Sequence, residues 1–206
     1  MEKSAKLGKL TLLNIILFGF IGQVAWAVEN NFFNTFLFSF GGTTKDISTM
    51  VAASAVVAVV TTFVMGTLSD KLGRRKVFIC AGYVAWGITV MAFAFISREN
   101  LGKLIGADPS SAAALSATVT TVIVMDCIMT FMGSTSNDSA FNAWITDVTV
   151  PSNRAKTEGL LAILPVLALV IVTGVFGFIA GDDAQASDYA LSLIHISEPT
   201  RRSYIS

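Results

Sequence analysis

Between two long uncharged apolar runs lies the stretch Gly66-Thr-Leu-Ser-Asp-Lys-Leu-Gly-Arg-Arg-Lys76, with four cations, one acid and two glycines. The run before it, Ile47 to Leu68, and the run after it, Val77 to Ser97, are both free of charge. At about 1.5 Å per residue each is long enough, as a helix, to cross a hydrocarbon core of about 30 Å. Two such helices joined by so short a turn are antiparallel neighbours. Lys and Arg next to short loops resist translocation, so the cations place this turn on the cytoplasmic side.

The rest of the chain repeats the pattern. Hydrophobic residues make up 53% of it, only 14% are charged and the mean hydropathy is +0.69, which is membrane-protein composition. Five helices are expected, at about residues 11–38, 47–68, 77–97, 112–144 and 159–180. Lys3, Lys6 and Lys9 precede the first run, which is too long for a signal peptide and lacks a small-residue cleavage pattern. With the N-terminus inside, nine cations fall on cytoplasmic segments (Lys3, Lys6, Lys9, Lys71, Arg74, Arg75, Lys76, Arg154, Lys156) and three outside (Lys45, Arg98, Lys103). Reversing the topology would invert that asymmetry. Residues 98–111 read as the longest outer loop. Residues 147–154 read as an inner loop, and Pro165 as a kink in the fifth helix.

Net charge is zero, so no nucleic-acid partner is indicated. Cys80 and Cys127 fall inside apolar runs and read as small buried hydrophobes. The only histidine is His195. It lies in a tail excluded from the fold, which leaves no imidazole for a nucleophile–base pair and no metal cluster. An enzyme is not indicated, and no cofactor is expected. Gly82, Gly87 and Trp86 read as packing residues, and Gly66 as a place of close helix approach.

Charged and amide side chains inside the apolar runs are the candidate chemistry. Glu29, Asn30, Asn31 and Asn34 occupy one and a half turns of the first helix. They read as the polar lining of a cavity, or else Glu29 marks the water interface. Phe36, Leu37 and Phe38 continue the apolar run and favour the cavity. In the fourth helix, Asn137, Asp138 and Asn142 form a second polar group. Asp126 reads either as a proton carrier or as an acid bonded to a Ser or Thr of a neighbouring helix. A carboxylate accepts several hydroxyl hydrogen bonds, and charged acceptors give the stronger ones. Amides can both donate and accept beside it.

The 66–76 stretch resembles the loop between helices 2 and 3 of the major facilitator superfamily of secondary transporters, with Gly66, Asp70, Gly73, Arg74 and Arg75 at matching spacing. The resemblance implies an all-α membrane fold whose first five helices belong to a six-helix N-terminal half. It also implies alternating access around a site near mid-membrane. Asp138, Phe141 and the stretch Asp147 to Arg154 are similar to the glycoside-pentoside-hexuronide:cation symporters. That resemblance implies a sugar or glycoside substrate with Asp138 as its acceptor; the other reading of Asp138 is a cap or salt bridge at the helix end. Glu29, Asn30, Asn34 and Asn142 complete the candidate binding set, with Glu29, Asp126 and Asp138 as proton-coupling candidates. The sodium-dependent members of that family have two acids on helix 2, where this chain has Val57 to Phe63. Proton coupling is therefore favoured over sodium. Asp70, Arg74, Arg75, Asp147 and Arg154 read as gating residues, with Arg154 as the partner available to Asp70. An exporter of drugs or organic anions and a non-transporting sensor or scaffold are the alternatives.

Leu191 to Ser206 resembles a translated sequencing adapter. It is expected to be foreign to the protein, with the remaining helices and C-terminal half of the same polypeptide missing beyond it.

Overall fold

The computed structural model describes residues 7–179, so the tail expected to be foreign lies outside the described residues. All regular structure among the described residues is helical. Five helices are long and apolar enough to cross a membrane: Lys9–Ser39, Thr44–Leu72, Arg75–Phe95, Ala112–Val148 and Pro151–Val175.

Helix α1 (Lys9–Ser39) packs along α8 (Leu164–Ile179). Helix α2 (Thr44–Leu72) starts at a reciprocal cap: Asp46 N–H donates to the Thr43 hydroxyl, and Thr43 N–H donates to the Asp46 carboxylate at 2.8 Å. Its end corrects the expected loop. The helix runs on through Gly66 and Asp70 to Leu72, and only Gly73 and Arg74 form the turn. A single interior glycine costs about 1 kcal/mol and does not stop a helix. Gly73 does stop it, because its φ of 60° is the left-handed cap conformation that glycine adopts without a Cβ penalty.

Helix α3 (Arg75–Ala92) tightens into a 3₁₀ turn at Phe93–Phe95. Residues 98–111 are not a plain loop, since α4 (Arg98–Ile105) lies within them. Its signals are local: Ser97 accepts from Asn100 N–H, Glu99 pairs with Lys103 at 2.7 Å, and Gly106 closes the end in the left-handed region. The fourth span is one continuous rod built of α5 (Ala112–Gly133), a π-helical stretch Ser134–Phe141, and α6 (Asn142–Val148). The inner loop shrinks to Thr149 and Val150. Helix α7 (Pro151–Leu161) begins earlier than the expected 159, with Pro151 in its first turn, where the missing N–H costs nothing. The break between α7 and α8 falls at Ala162 and Ile163, just before Pro165.

Side-chain packing corrects several expectations. Trp86 is buried with Phe33, Val122 and Met129 in the largest apolar cluster. A Cβ on Gly82 would meet the Ser136 Cβ at 2.6 Å, so α3 and the π stretch touch there. Gly87 has nothing within 4 Å, and Gly66 meets only Ser139 at an ordinary 3.8 Å, so neither is a close-approach glycine. Besides Gly82, tight contacts with neighbouring helices lie at Gly19, Gly22 and Gly133. Cys80 is exposed rather than buried, and Cys127 is half-buried. Val56, Val59, Val60, Phe63 and Val64 form an exposed apolar face on α2, which suits a helix whose solvent is lipid.

Candidate functional site

Asp138 stands in the π-helical stretch, about 15 Å along the helix axis from its Val148 end at 1.5 Å per residue. A π turn pairs residues five apart and leaves carbonyls poorly served; such turns recur at functional sites. Here the sequence supplies side-chain donors for them. Thr135 donates to Phe131 O, Ser136 to Met132 O, Ser139 to Thr135 O, and Asn142 to Asp138 O, at 2.7–3.0 Å. The run of short hydroxyl residues is thus what lets the wide turn persist inside the bundle.

The Asp138 carboxylate is surrounded by neutral donors. Ser134 Oγ donates to Oδ2 at 2.9 Å and Asn137 Nδ2 to Oδ1 at 3.1 Å, and the Trp26 indole of α1 also donates. Asn137 is held from its other side by Tyr83 of α3, whose hydroxyl lies 3.0 Å from Asn137 Oδ1 and 2.9 Å from Phe18 O. Gly22 makes this approach possible, because a Cβ there would sit 2.3 Å from Asn137 Oδ1. A cavity of about 140 Å³ opens beside the cluster, and its lining includes Gln23, Asn137, Asp138, Asn142 and Glu158. It contains two carboxylates, three amides and no cation among its lining residues.

Of the predicted binding residues, Asp138 and Asn142 meet at this cavity. Asn30 and Asn34 do not. Their amides fold back to Trp26 O and Asn30 O on their own helix, as does Asn31 to Ala27 O. Glu29 is buried against α5, accepting from Thr130 at 3.0 Å through Oε1, while Oε2 has no partner. Asp126 lies one turn from Thr130, is buried and accepts from Ser54 of α2. The acid therefore has the Ser partner on a neighbouring helix that one of its two readings names. Gln23, Tyr83, Trp26 and Glu158 were not singled out from sequence. Gln23 and Glu158 offered a signal as polar residues in or beside apolar runs, whereas Tyr83 and Trp26 look like ordinary packing aromatics.

The second polar assembly closes the Gly73 end of the bundle. Arg75 pairs with Asp70 at 2.7 Å and, through Nε, with Asp147. One guanidinium thus ties α2, α3 and α6 together. Arg154 is not the partner of Asp70. Its guanidinium donates to Thr146 O at 2.9 Å and to the Thr149 hydroxyl, capping the carbonyls where α6 ends. Arg74 is exposed in the turn. Above this network lies a cavity of about 500 Å³ lined in part by Asn14, Phe18, Trp144 and the exposed Cys80.

No curated protein and no solved structure matches the chain. The family model described as Major Facilitator Superfamily matches residues 13–186, most of the sequence. With five apolar spans and polar groups gathered at mid-depth and at one end, the chain belongs to the Major Facilitator Superfamily of membrane transporters.

Proposed function

We propose that the chain serves uptake of a sugar or glycoside across the cytoplasmic membrane by alternating access, with protons as the coupling ion. The observation that carries this reading is the Asp138 cavity, with its carboxylate and the amides of Gln23, Asn137 and Asn142. Sugar hydroxyls donate to carboxylates, and amides match their mixed donors and acceptors. A lining without a cation disfavours an organic anion. Proton coupling is supported by Glu29, a buried carboxyl with one unpartnered oxygen. An incompletely satisfied carboxylate away from water is costly, so gain and loss of a proton there can be exchanged against a change of shape. Sodium is disfavoured because the charged residues of α2 stand only at its two ends. The basic Gly73 turn supports a cytoplasmic N-terminus.

The test is uptake into proteoliposomes of a panel of radiolabelled neutral sugars and glycosides, with and without an imposed proton gradient. Gradient-driven accumulation of at least one sugar, lost in Asp138→Asn, is the expected result. Movement of a cationic dye with no sugar accumulating would replace this reading with that of an exporter.

A further inference from the structure

The Tyr83 hydroxyl has one proton and two acceptors within reach, Phe18 O at 2.9 Å and Asn137 Oδ1 at 3.0 Å. A hydroxyl donates once, so in this arrangement one of the two oxygens goes without the bond. The amide beside it is equally constrained. Asn137 turns its NH₂ toward Asp138 Oδ1, which suits an ionised carboxylate that can only accept.

Protonation of Asp138 reverses every demand in this chain. A carboxylic O–H now needs an acceptor, which Asn137 supplies by turning its amide over, since oxygen and nitrogen are nearly equal in size. The NH₂ then faces Tyr83 and donates to the phenolic oxygen. Tyr83 is left to give its single proton to Phe18 O. In this second arrangement each of these groups has a partner, and no atom has moved further than an amide rotation. No proton leaves the chain other than the one Asp138 takes up.

We propose that Tyr83 is a positioning residue for Asp138, fixing the orientation of Asn137 and passing the protonation state of Asp138 to the Phe18 carbonyl of α1. Gly22 and Phe18 are on that helix, as is the cavity residue Gln23, so the relay ends on the element that walls the binding cavity. The other ionisable groups near Asp138 are Glu29 on α1 and Glu158 on α7 across the cavity, while Asp126 of α5 lies about 18 Å along the same span at 1.5 Å per residue. Helix α8 has no charged residue, and those of α2 stand at its ends. No cation competes for the carboxylate at this depth among the described residues. The inference deepens the proton-coupled reading, but the relay itself needs no substrate.

Infrared difference spectroscopy of the whole reconstituted protein, titrated by pH without substrate, tests it. The carboxyl band of Asp138 is assigned by its loss in Asp138→Asn and the tyrosine C–O band of Tyr83 by its loss in Tyr83→Phe. The expected result is one step, in which the Tyr83 band shifts at the same midpoint as the Asp138 band. In Asn137→Ala the Asp138 step persists and the Tyr83 band stays flat. A Tyr83 band that is flat in the unmodified protein, or that still follows Asp138 in Asn137→Ala, overturns the proposal. Should Asn137→Ala fail to fold, the unmodified protein alone still decides, because separate midpoints for the two bands refute the relay. In vesicles, Tyr83→Phe should flatten the pH profile of sugar counterflow. Failure to find a transported sugar would sink the substrate reading and leave the infrared outcome standing.

Discussion

Two acidic centres, one at mid-depth and one at the Gly73 end, solve the same problem with different chemistry. Asp138 is held by Ser134, Asn137 and Trp26, all neutral donors. Asp70 and Asp147 are held by a full positive charge on Arg75. At the end of the bundle water screens both ions, and an exposed pair is worth about 0–1 kcal/mol, so it can break and re-form cheaply. At mid-depth a buried Arg would bring its own desolvation penalty and bind the acid too firmly for a ligand to compete. Dipoles hold the carboxylate while leaving its charge available. The two depths thus give the same carboxylate different partners.

The strongest way to break the comparison is Asp138→Asn. Hydrogen bonds to a charged group contribute about 1.5–3 kcal/mol each, so uptake should fall by roughly tenfold or more. Thermal unfolding should change little, because an amide can still accept from Ser134 and Trp26. Next in size is Gly22→Ala, whose Cβ would push Asn137 and Tyr83 apart. Overpacking of this kind costs about 1–3 kcal/mol, whereas Gly87→Ala, with open space around it, should stay within about 0.5 kcal/mol. Detergent-solubilised melting of the two variants side by side checks this; equal losses would mean that the contact at Gly22 is slack.

At the other centre, Asp70→Asn should cost about 1 kcal/mol or less in stability while shifting the balance of conformations. The readout is the alkylation rate of Cys80, which lines the cavity above Arg75. Substrate selectivity should be unchanged, and a change in selectivity with no change in that rate would place Asp70 in the wrong centre. The smallest effect concerns Asp108, outside the spans, whose carboxylate accepts from the Ser110 hydroxyl and then its backbone N–H. These bonds hold its pKa below the ordinary value, so their support for the turn into α5 is complete above that value. It is lost as pH falls through the lowered one. Hydrogen exchange at Ser110 should therefore gain an acid-dependent opening that Asp108→Asn lacks.

Much of the site was legible because a polar residue in an apolar run has few innocent explanations. Asp138 and Asn142 at the cavity and the buried acids Asp126 and Glu29 stood out that way, as did Asp70, Arg75 and Asp147, which the structure joins in one ion-pair network. The assignment of Arg154 to Asp70 failed because sequence shows which charges are near an end and not which carbonyls at that end lack a donor. Asn30 and Asn34 do not line the cavity for a related reason. An amide on a helix can satisfy itself on its own preceding turn, and nothing in its identity says whether it will.

The five spans and their antiparallel order follow from the sequence alone, because burying a charge or an unpaired peptide in hydrocarbon costs so much that few arrangements survive; the family was signalled by the resemblance of residues 66–76. Which acid meets which partner was decided by tertiary structure. Tyr83, Trp26 and Gly22 came to surround Asp138 and Asn137 through helix contacts too close to admit one added carbon at Gly22, set by the packing of three helices together. Residues 54 positions apart come to share a hydrogen bond only when that packing brings them within reach.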